Sequence, residues 1–246
     1  MKTKEEHYSY RVYSDPSVAR GFDSDRFGGP IGNLIKEAQE NAVFRVLPDV
    51  KDWKVIDVGA GTGRFTIPFL QRGARVTACD ASVQMLEVLK EKAGNSDLSV
   101  FVTDAHHLNF PDLSFDCAIS FRVLLHVIDS KQALAELCRV SNDWVIFDVP
   151  PAHGFLLLAP LVHAIRRLFS RSYQSYRIFS LRMLKEDLLA NGFQIASMDF
   201  GFFLPIIVHR IMKSPGFTRT IEAFFSSVRL TPLTGSPVTI FARRKK

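Results

Sequence analysis

Three aspartates and a run of glycines carry the plainest chemistry in this 246-residue sequence. The run is Val55-Ile-Asp-Val-Gly-Ala-Gly-Thr-Gly63. An apolar, strand-like segment enters the glycines and a helix-like segment leaves them. Glycine lets the backbone turn sharply and lets a ligand touch the main chain. The helix start behind the glycines offers N–H groups with no partner of their own. Asp57 stands two residues ahead of the first glycine. A carboxylate there suits a ligand with an ammonium group and would repel a pyrophosphate. A dinucleotide-binding turn wants G-x-G-x-x-G, and the position of its third glycine is held by Arg64. The bland alternative is a glycine turn with a structural role alone.

Asp80 ends the next strand-like run, Val76-Thr-Ala-Cys-Asp80, and Asp104 follows the third, in Phe101-Val-Thr-Asp-Ala105. An acid about 20 residues beyond a glycine loop is placed to accept both hydroxyls of a ribose. Asp104, or a main-chain group beside it, could read the amino group of an adenine. The alternatives are a helix-capping role for Asp80 and a turn role for Asp104. Three acids at the ends of successive strands would share the edge where open α/β sheets bind ligands.

The elements that must position them alternate. Strands are expected at 54–58, 74–79, 98–102, 115–120 and 144–149, with helices at 65–72, 82–92 and 130–140 between them. Strands separated by helices of this length form a parallel sheet. Runs such as VIDV, CAIS and VIFDV are apolar on both faces, as a sheet covered by helices requires. An amphipathic helix at 32–47 precedes the first strand. A helix at 181–191, a strand at 193–200 and a last strand at 237–242 follow Pro150-Pro151. Residues 202–235 mix apolar pieces with Pro205, Pro215 and Pro232 and give no clear assignment.

The segments VIDVGAGTGRF, VTACDAS, FVTDAHHLNFPDLSFDCAIS and VIFDVP, in this order and spacing, resemble the successive motifs of the class I S-adenosylmethionine (SAM)-dependent methyltransferases. Within them, the likeness is greatest to the group that includes quinone-biosynthesis and small-molecule O-methyltransferases, of the type 11 kind. It covers residues 50–150 well and 181–200 and 237–242 more weakly. The resemblance implies an α/β, Rossmann-like, doubly wound sheet of seven strands, mostly parallel with an antiparallel last strand, and apolar-basic insertions after strands 5 and 6. It implies SAM as cofactor and one methyltransferase domain over 1–246. Within that domain, 1–48 would form an N-terminal lid and helix, 49–150 the SAM-binding core, and 151–180 and 201–235 the substrate side. Gly59, Gly61 and Gly63, with Ala60 between them, would line the methionine part of SAM, with Asp57 near its amino group. Asp80 would hold the ribose, with Ala81 beside it. Met85 would lie near the adenine, Asp104 and Ala105 would read its edge, and Phe121 would sit under the cofactor. The aromatic and charged segment 8–27 would close over the pocket; a weakly ordered arm is the alternative. The first acid is often Glu in this family and here is Asp57, a mild departure.

Methyl transfer to a hydroxyl gains from a general base, and the candidate is His126, in Phe121-Arg-Val-Leu-Leu-His126. A histidine serving packing and hydrogen bonding is the alternative. His106 and His107 are expected on the surface. No cluster of His, Asp or Glu has metal-ligand spacing.

Charge divides the chain. Residues 1–150 hold 17 Lys and Arg against 21 Asp and Glu, and residues 151–246 hold 14 against 4. A basic half should face something anionic, or form a solvated surface. In Phe155–Arg171, apolar residues recur at helical spacing beside Arg166, Arg167 and Arg171. Such a helix covers an apolar pocket or rests weakly on an anionic membrane surface; packing on the core is the alternative. The acceptor is therefore expected to be small and largely apolar: quinone-, phenol- or lipid-like. A nucleic-acid partner is not expected, because no recognised module and no Asn-Pro-Pro-Tyr-type tetrapeptide is present. A non-catalytic SAM-binding or membrane-surface protein and a nicotinamide oxidoreductase are the competing classes. The start MKTKEEHYSY has no apolar run, so a secretory signal is not expected. Cys79, Cys117 and Cys138 read as small core residues in a reduced cytoplasm.

Overall fold

A strand with no solvent face belongs in the middle of a sheet covered on both sides, and β1 (Lys54–Val58) is buried along all but its first residue. A computed structural model describes residues 12–94, 96–152 and 177–245. In it, β1 is flanked by parallel β2 (Arg75–Asp80) on one side and parallel β4 (Phe115–Ser120) on the other. With β3 (Leu98–Val102), β5 (Ser141–Val149), β6 (Phe193–Asp199) and β7 (Val238–Arg244), the order across the sheet is β3-β2-β1-β4-β5-β7-β6. The chain runs outward from β1 to β3 and then returns to β4. The gap above β1 and β4 is therefore the point where strand order reverses, the usual ligand crevice of such sheets. β7 lies antiparallel to both of its neighbours. This is the doubly wound seven-stranded sheet the motifs imply, with the antiparallel strand inserted next to β5.

Helices cover both faces. α1 (Pro16–Phe27) and α2 (Gly29–Val46) precede β1. α3 (Thr66–Gln71) and α4 (Val83–Ala93) join β1 to β2 and β2 to β3, α5 (Ser130–Val140) joins β4 to β5, and α6 (Leu181–Ala190) leads into β6. Alternation along each strand decides which helix it meets. Val55 and Val76 pack with Ala42 and Val43 of α2 and Phe69 of α3. Ile56 and Val58 pack on the opposite side, in one cluster with Leu134 and Leu137 of α5 and Leu184 and Leu188 of α6. All three cysteines are buried and free.

The helices begin where local chemistry allows. Ser82 caps α4 by accepting the Met85 amide at 3.1 Å, and Asp129 caps α5 by accepting the amides of Lys131 and Gln132. The segment 202–235 resolves into α7 (Ile206–Met212), α8 (Pro215–Ser227) and α9 (Thr231–Thr234), a helical cap that follows β6 and precedes β7 in the chain. The prolines that obscured this segment stand at helix starts: Pro205 precedes α7, Pro215 opens α8, and Pro232 lies in the first turn of α9. There the missing N–H costs nothing. The cap is tied together by buried His209, whose Nε2 bonds Glu222 at 2.9 Å and whose Nδ1 bonds the Thr218 hydroxyl at 3.0 Å. It rests on α2 through Phe202 and Ile206 against Ile31, Leu34 and Ile35. The basic apolar segment 155–171 lies outside the described residues. Among those described, no helix is long and apolar enough to cross a membrane.

Candidate functional site

Asp57 sits on the last turn of backbone before the glycines and is 3% exposed. Its neighbours on both sides are strands, so little of it meets water. One oxygen accepts the Thr66 hydroxyl at 2.6 Å. Burial pushes its carboxyl from the usual 3.8 up to about 7; the Thr66 hydroxyl pulls the other way, and the negative charge of Asp80 adds to the rise. A buried carboxylate in this condition favours a cation beside it.

The loop that follows is pinned to the end of β2. The amides of Gly59 and Ala60 both donate to the Cys79 carbonyl, at 2.7 and 3.0 Å. Gly59 has φ +74, and a Cβ there would lie 2.1 Å from a methyl of Val123. No side chain fits, so the loop backbone passes directly under the segment after β4. The Gly61 amide donates to one oxygen of Asp80 and the Ser82 amide to the other, both at 2.9 Å. Asp80 is thereby fixed with lone pairs to spare on each oxygen, and its burial raises its carboxyl above the usual range.

These residues open onto one cavity of about 180 Å³. Of the positions expected from sequence, Asp57, Gly59, Ala60, Gly61, Asp80, Ala81, Met85, Ala105, Phe121 and His126 all lie on its wall. Gly63 and Asp104 do not. A Cβ on Gly63, at φ +90, would lie 2.3 Å from Leu89 of α4, so this glycine serves close helix packing. Asp104 turns away to accept the His106 amide at 2.8 Å and to contact the His106 ring, leaving Thr103 and Ala105 on the wall. His106 is therefore a correction: it is 8% exposed, not a surface residue, and its Nε2 accepts the Asp129 amide at 3.0 Å. That bond ties the loop after β3 to the cap of α5, a contact between residues 23 positions apart that no local pattern announces. His107 is exposed, as expected.

α1 completes the wall with Phe22, Arg26 and Phe27, and Tyr13 precedes it. Its anchors are polar. The Thr62 hydroxyl of the glycine loop donates to Asp23 at 2.6 Å, and Lys92 of α4 pairs with the same carboxylate. The Ser82 hydroxyl donates to the Tyr13 carbonyl at 2.6 Å. Behind the wall runs a stack. Phe121 lies on Phe65 with ring centres 3.6 Å apart, and the Arg64 guanidinium sits 5.3 Å from Phe65 and 4.2 Å from Phe27. Arg64 also donates to buried Gln39. Thr62, Arg64 and Arg122 on the wall, and Thr66 behind it, carry no signal in the sequence that marks them as site residues. Asp148, fully buried in VIFDV, had a legible signal, a lone acid inside an apolar strand. It accepts the amide of Arg122, which is held at φ +64, a conformation costing on the order of 1–3 kcal/mol for a residue with a side chain. Among the described residues, no group of His, Cys, Asp and Glu could hold a metal ion.

The family model described as "Methyltransferase domain" matches residues 56–143. A demethylmenaquinone methyltransferase of Thermobifida fusca is 44% identical over 91 residues, 36% of this chain and 39% of that protein. Another, of Paenarthrobacter aurescens, is 28% identical over 165 residues, 65% of this chain and 61% of its own, so these alignments span less than two thirds of those relatives. A magnesium-protoporphyrin O-methyltransferase of Rhodobacter capsulatus is 24% identical over 80% of this chain and 94% of that one. Among solved structures, magnesium protoporphyrin IX methyltransferase of Synechocystis with bound SAH superposes with a TM-score of 0.66 at 19% identity, over 96% of this chain and 99% of that chain. The likeness to the structures is one of fold.

The raised Asp57 carboxyl makes stability pH-dependent. Its pKa is higher folded than unfolded, so between about pH 4 and pH 7 the folded chain keeps a proton the unfolded chain has lost. Stability of the ligand-free protein therefore falls as pH rises through that window, by up to about 4 kcal/mol from this group. Denaturant unfolding across that range should show the fall, and Asp57→Asn should flatten it, leaving a smaller residue from Asp80.

Proposed function

We propose that this chain, which has the class I SAM-dependent methyltransferase fold and carries a methyltransferase domain at residues 56–143, transfers a methyl group from SAM to a small, largely apolar acceptor at a hydroxyl or ring carbon. The observation that carries the reading is the buried Asp57 carboxylate at the head of a glycine loop whose backbone lies open to the cavity. The pieces fit the cofactor. Asp57 offers a buried anion to its ammonium group, Asp80 offers both oxygens to its ribose, and Met85, Thr103 and Ala105 line the wall where its adenine would rest. When bound, SAM supplies a methyl group already activated on a sulfonium. Alignment and exclusion of water then account for much of the rate. The aromatic walls from Phe22, Phe27, Phe65 and Phe121 exclude water here, and suit both an apolar acceptor and a positive charge over a ring. His126 is the group on the wall placed to take a proton from an acceptor hydroxyl. The curated relatives are named for demethylmenaquinone and magnesium-protoporphyrin, which supports a flat, apolar acceptor.

A contact with anionic membrane surfaces has its own support. The cap exposes Ile207, Ile211, Phe224, Val228 and Leu233, with Ile211 at 71% and Leu233 at 62%. Arg210, Lys213 and Arg229 are interspersed and exposed. Apolar side chains among cations are what an anionic bilayer surface attracts.

Three measurements test these readings. Calorimetry should show SAM binding and no NAD(H) binding, with Asp80→Ala weakening SAM by about 10–100-fold, as expected for lost hydrogen bonds to a charged group; NAD(H) binding would overturn the reading. With an acceptor in hand, His126→Ala should lower kcat by about 10²–10⁴-fold and remove the acid limb of its pH profile; an unchanged kcat makes this histidine a packing residue. The protein should co-sediment with vesicles rich in phosphatidylserine at low salt and be released by high salt; no sedimentation would end the membrane reading.

A further inference from the structure

The cofactor reading uses the acids of β1 and β2 and the glycine loop. It leaves three cations on the same cavity wall unaccounted for: Arg26, Arg64 and Arg122. Their placement is not random. Asp57, Asp80, Met85 and Ala105 lie on or just after β1, β2 and β3, so the cofactor's ammonium, ribose and base fall over that half of the sheet. Arg122 follows β4, on the other side of the strand-order reversal. Arg64 is electrostatically coupled to Arg122 and to Asp148 of β5 on that same side.

Arg122 is positioned at a cost. Its backbone adopts a left-handed conformation that residues with side chains avoid, and the bond from its amide to buried Asp148 holds it there. Its side chain is exposed on the cavity wall, and no hydrogen bond or ion pair of its guanidinium is found among the described residues. The buried Nε of Arg64 also has no partner. Burial lowers the Arg64 guanidinium to about 10, with Asp148 opposing the shift and the like charge of Arg122 adding to it, so it stays charged at neutral pH. Arg122 thus faces the aromatic cavity with unused donors, while Arg64, whose unpartnered Nε is buried and which already feels Asp148, Glu40 and Asp23, adds positive charge behind it; a cation so placed is relieved by an anion.

We propose that the acceptor carries a carboxylate on its apolar frame, and that Arg122, backed by Arg64, selects it. This rests on the methyltransferase reading and narrows it to apolar acids. The carboxylate would accept from the Arg122 fork, while Phe27, Phe65 and Phe121 would take the ring or chain. Asp148 is a positioning residue: it touches no ligand and holds Arg122 in place.

The test uses the full chain loaded with S-adenosylhomocysteine, the unreactive product of SAM, and matched probes: naphthoate against naphthamide, and heptylbenzoate against its amide. Calorimetry should show each acid binding about tenfold or more tightly than its amide, with the preference shrinking at high salt. Arg122→Asn, chosen because asparagine tolerates the left-handed conformation, should erase the preference while leaving product affinity unchanged. Arg122→Gly should do the same and guards against misfolding of the first variant. Amides binding as well as the acids, or neither binding, would overturn the inference. So would loss of product affinity in both variants, which would assign Arg122 to the cofactor's own carboxylate. If the wild-type chain fails to bind the product at all, the underlying methyltransferase reading fails first.

Discussion

The site depends on a carboxylate kept almost wholly out of water, at the floor of the cavity. Asp57 stands near the end of the central strand of the sheet, with β2 and β4 on either side, and Thr66 at the start of α3 bonds it through both its hydroxyl and its backbone. A charge in such a place is costly unless a partner arrives. Much of the surrounding geometry supplies a place for that partner. Gly59 and Ala60 hang from one carbonyl of β2, which turns the loop away from Asp57, and the absent side chain at Gly59 lets Val123 close over it. The loop backbone stays open to the cavity because two of its amides are committed to β2.

The same economy governs the rest of the wall. α1 packs little apolar surface of its own, burying only Ala19. It is held to the loop by Asp23, which engages both Thr62 and Lys92. An element fastened by a few partly exposed polar bonds opens more readily than one fastened by a core. Its Phe22 and Phe27 side chains line the cavity. The Phe121, Phe65, Arg64 and Phe27 stack then links the end of β4, the loop and the closing helix in one line.

How much of this was legible in the linear chain follows the range of the interactions. Strands with apolar runs, the capped helix after Ser82, the glycine loop and the order of β1 to β5 are set by neighbours within a few residues, and reading them gave boundaries within about three residues of those seen. Asp57 and Asp80 were legible for the same reason: a lone acid at the end of an apolar strand has few places to point. Asp104 shows the limit. It has the same local setting, yet its side chain is claimed by His106, and His106 in turn by Asp129. Local pattern cannot say which of two neighbouring groups a turn will satisfy.

The sequence by itself determined the doubly wound sheet, the edge where a ligand would sit and two of the acids that face it, Asp57 and Asp80, because periodicity and glycine placement act over one turn or one strand. Only the tertiary structure decided that residues 202–235 form a helical cap resting on α2, since its prolines begin helices whose stability comes from contacts with residues about 170 positions away. It alone brought Arg26, Arg64 and Arg122, on three separate elements, to one wall. It also set Asp148 behind Arg122, where the burial of one carboxylate holds another residue's backbone in a conformation its own sequence disfavours.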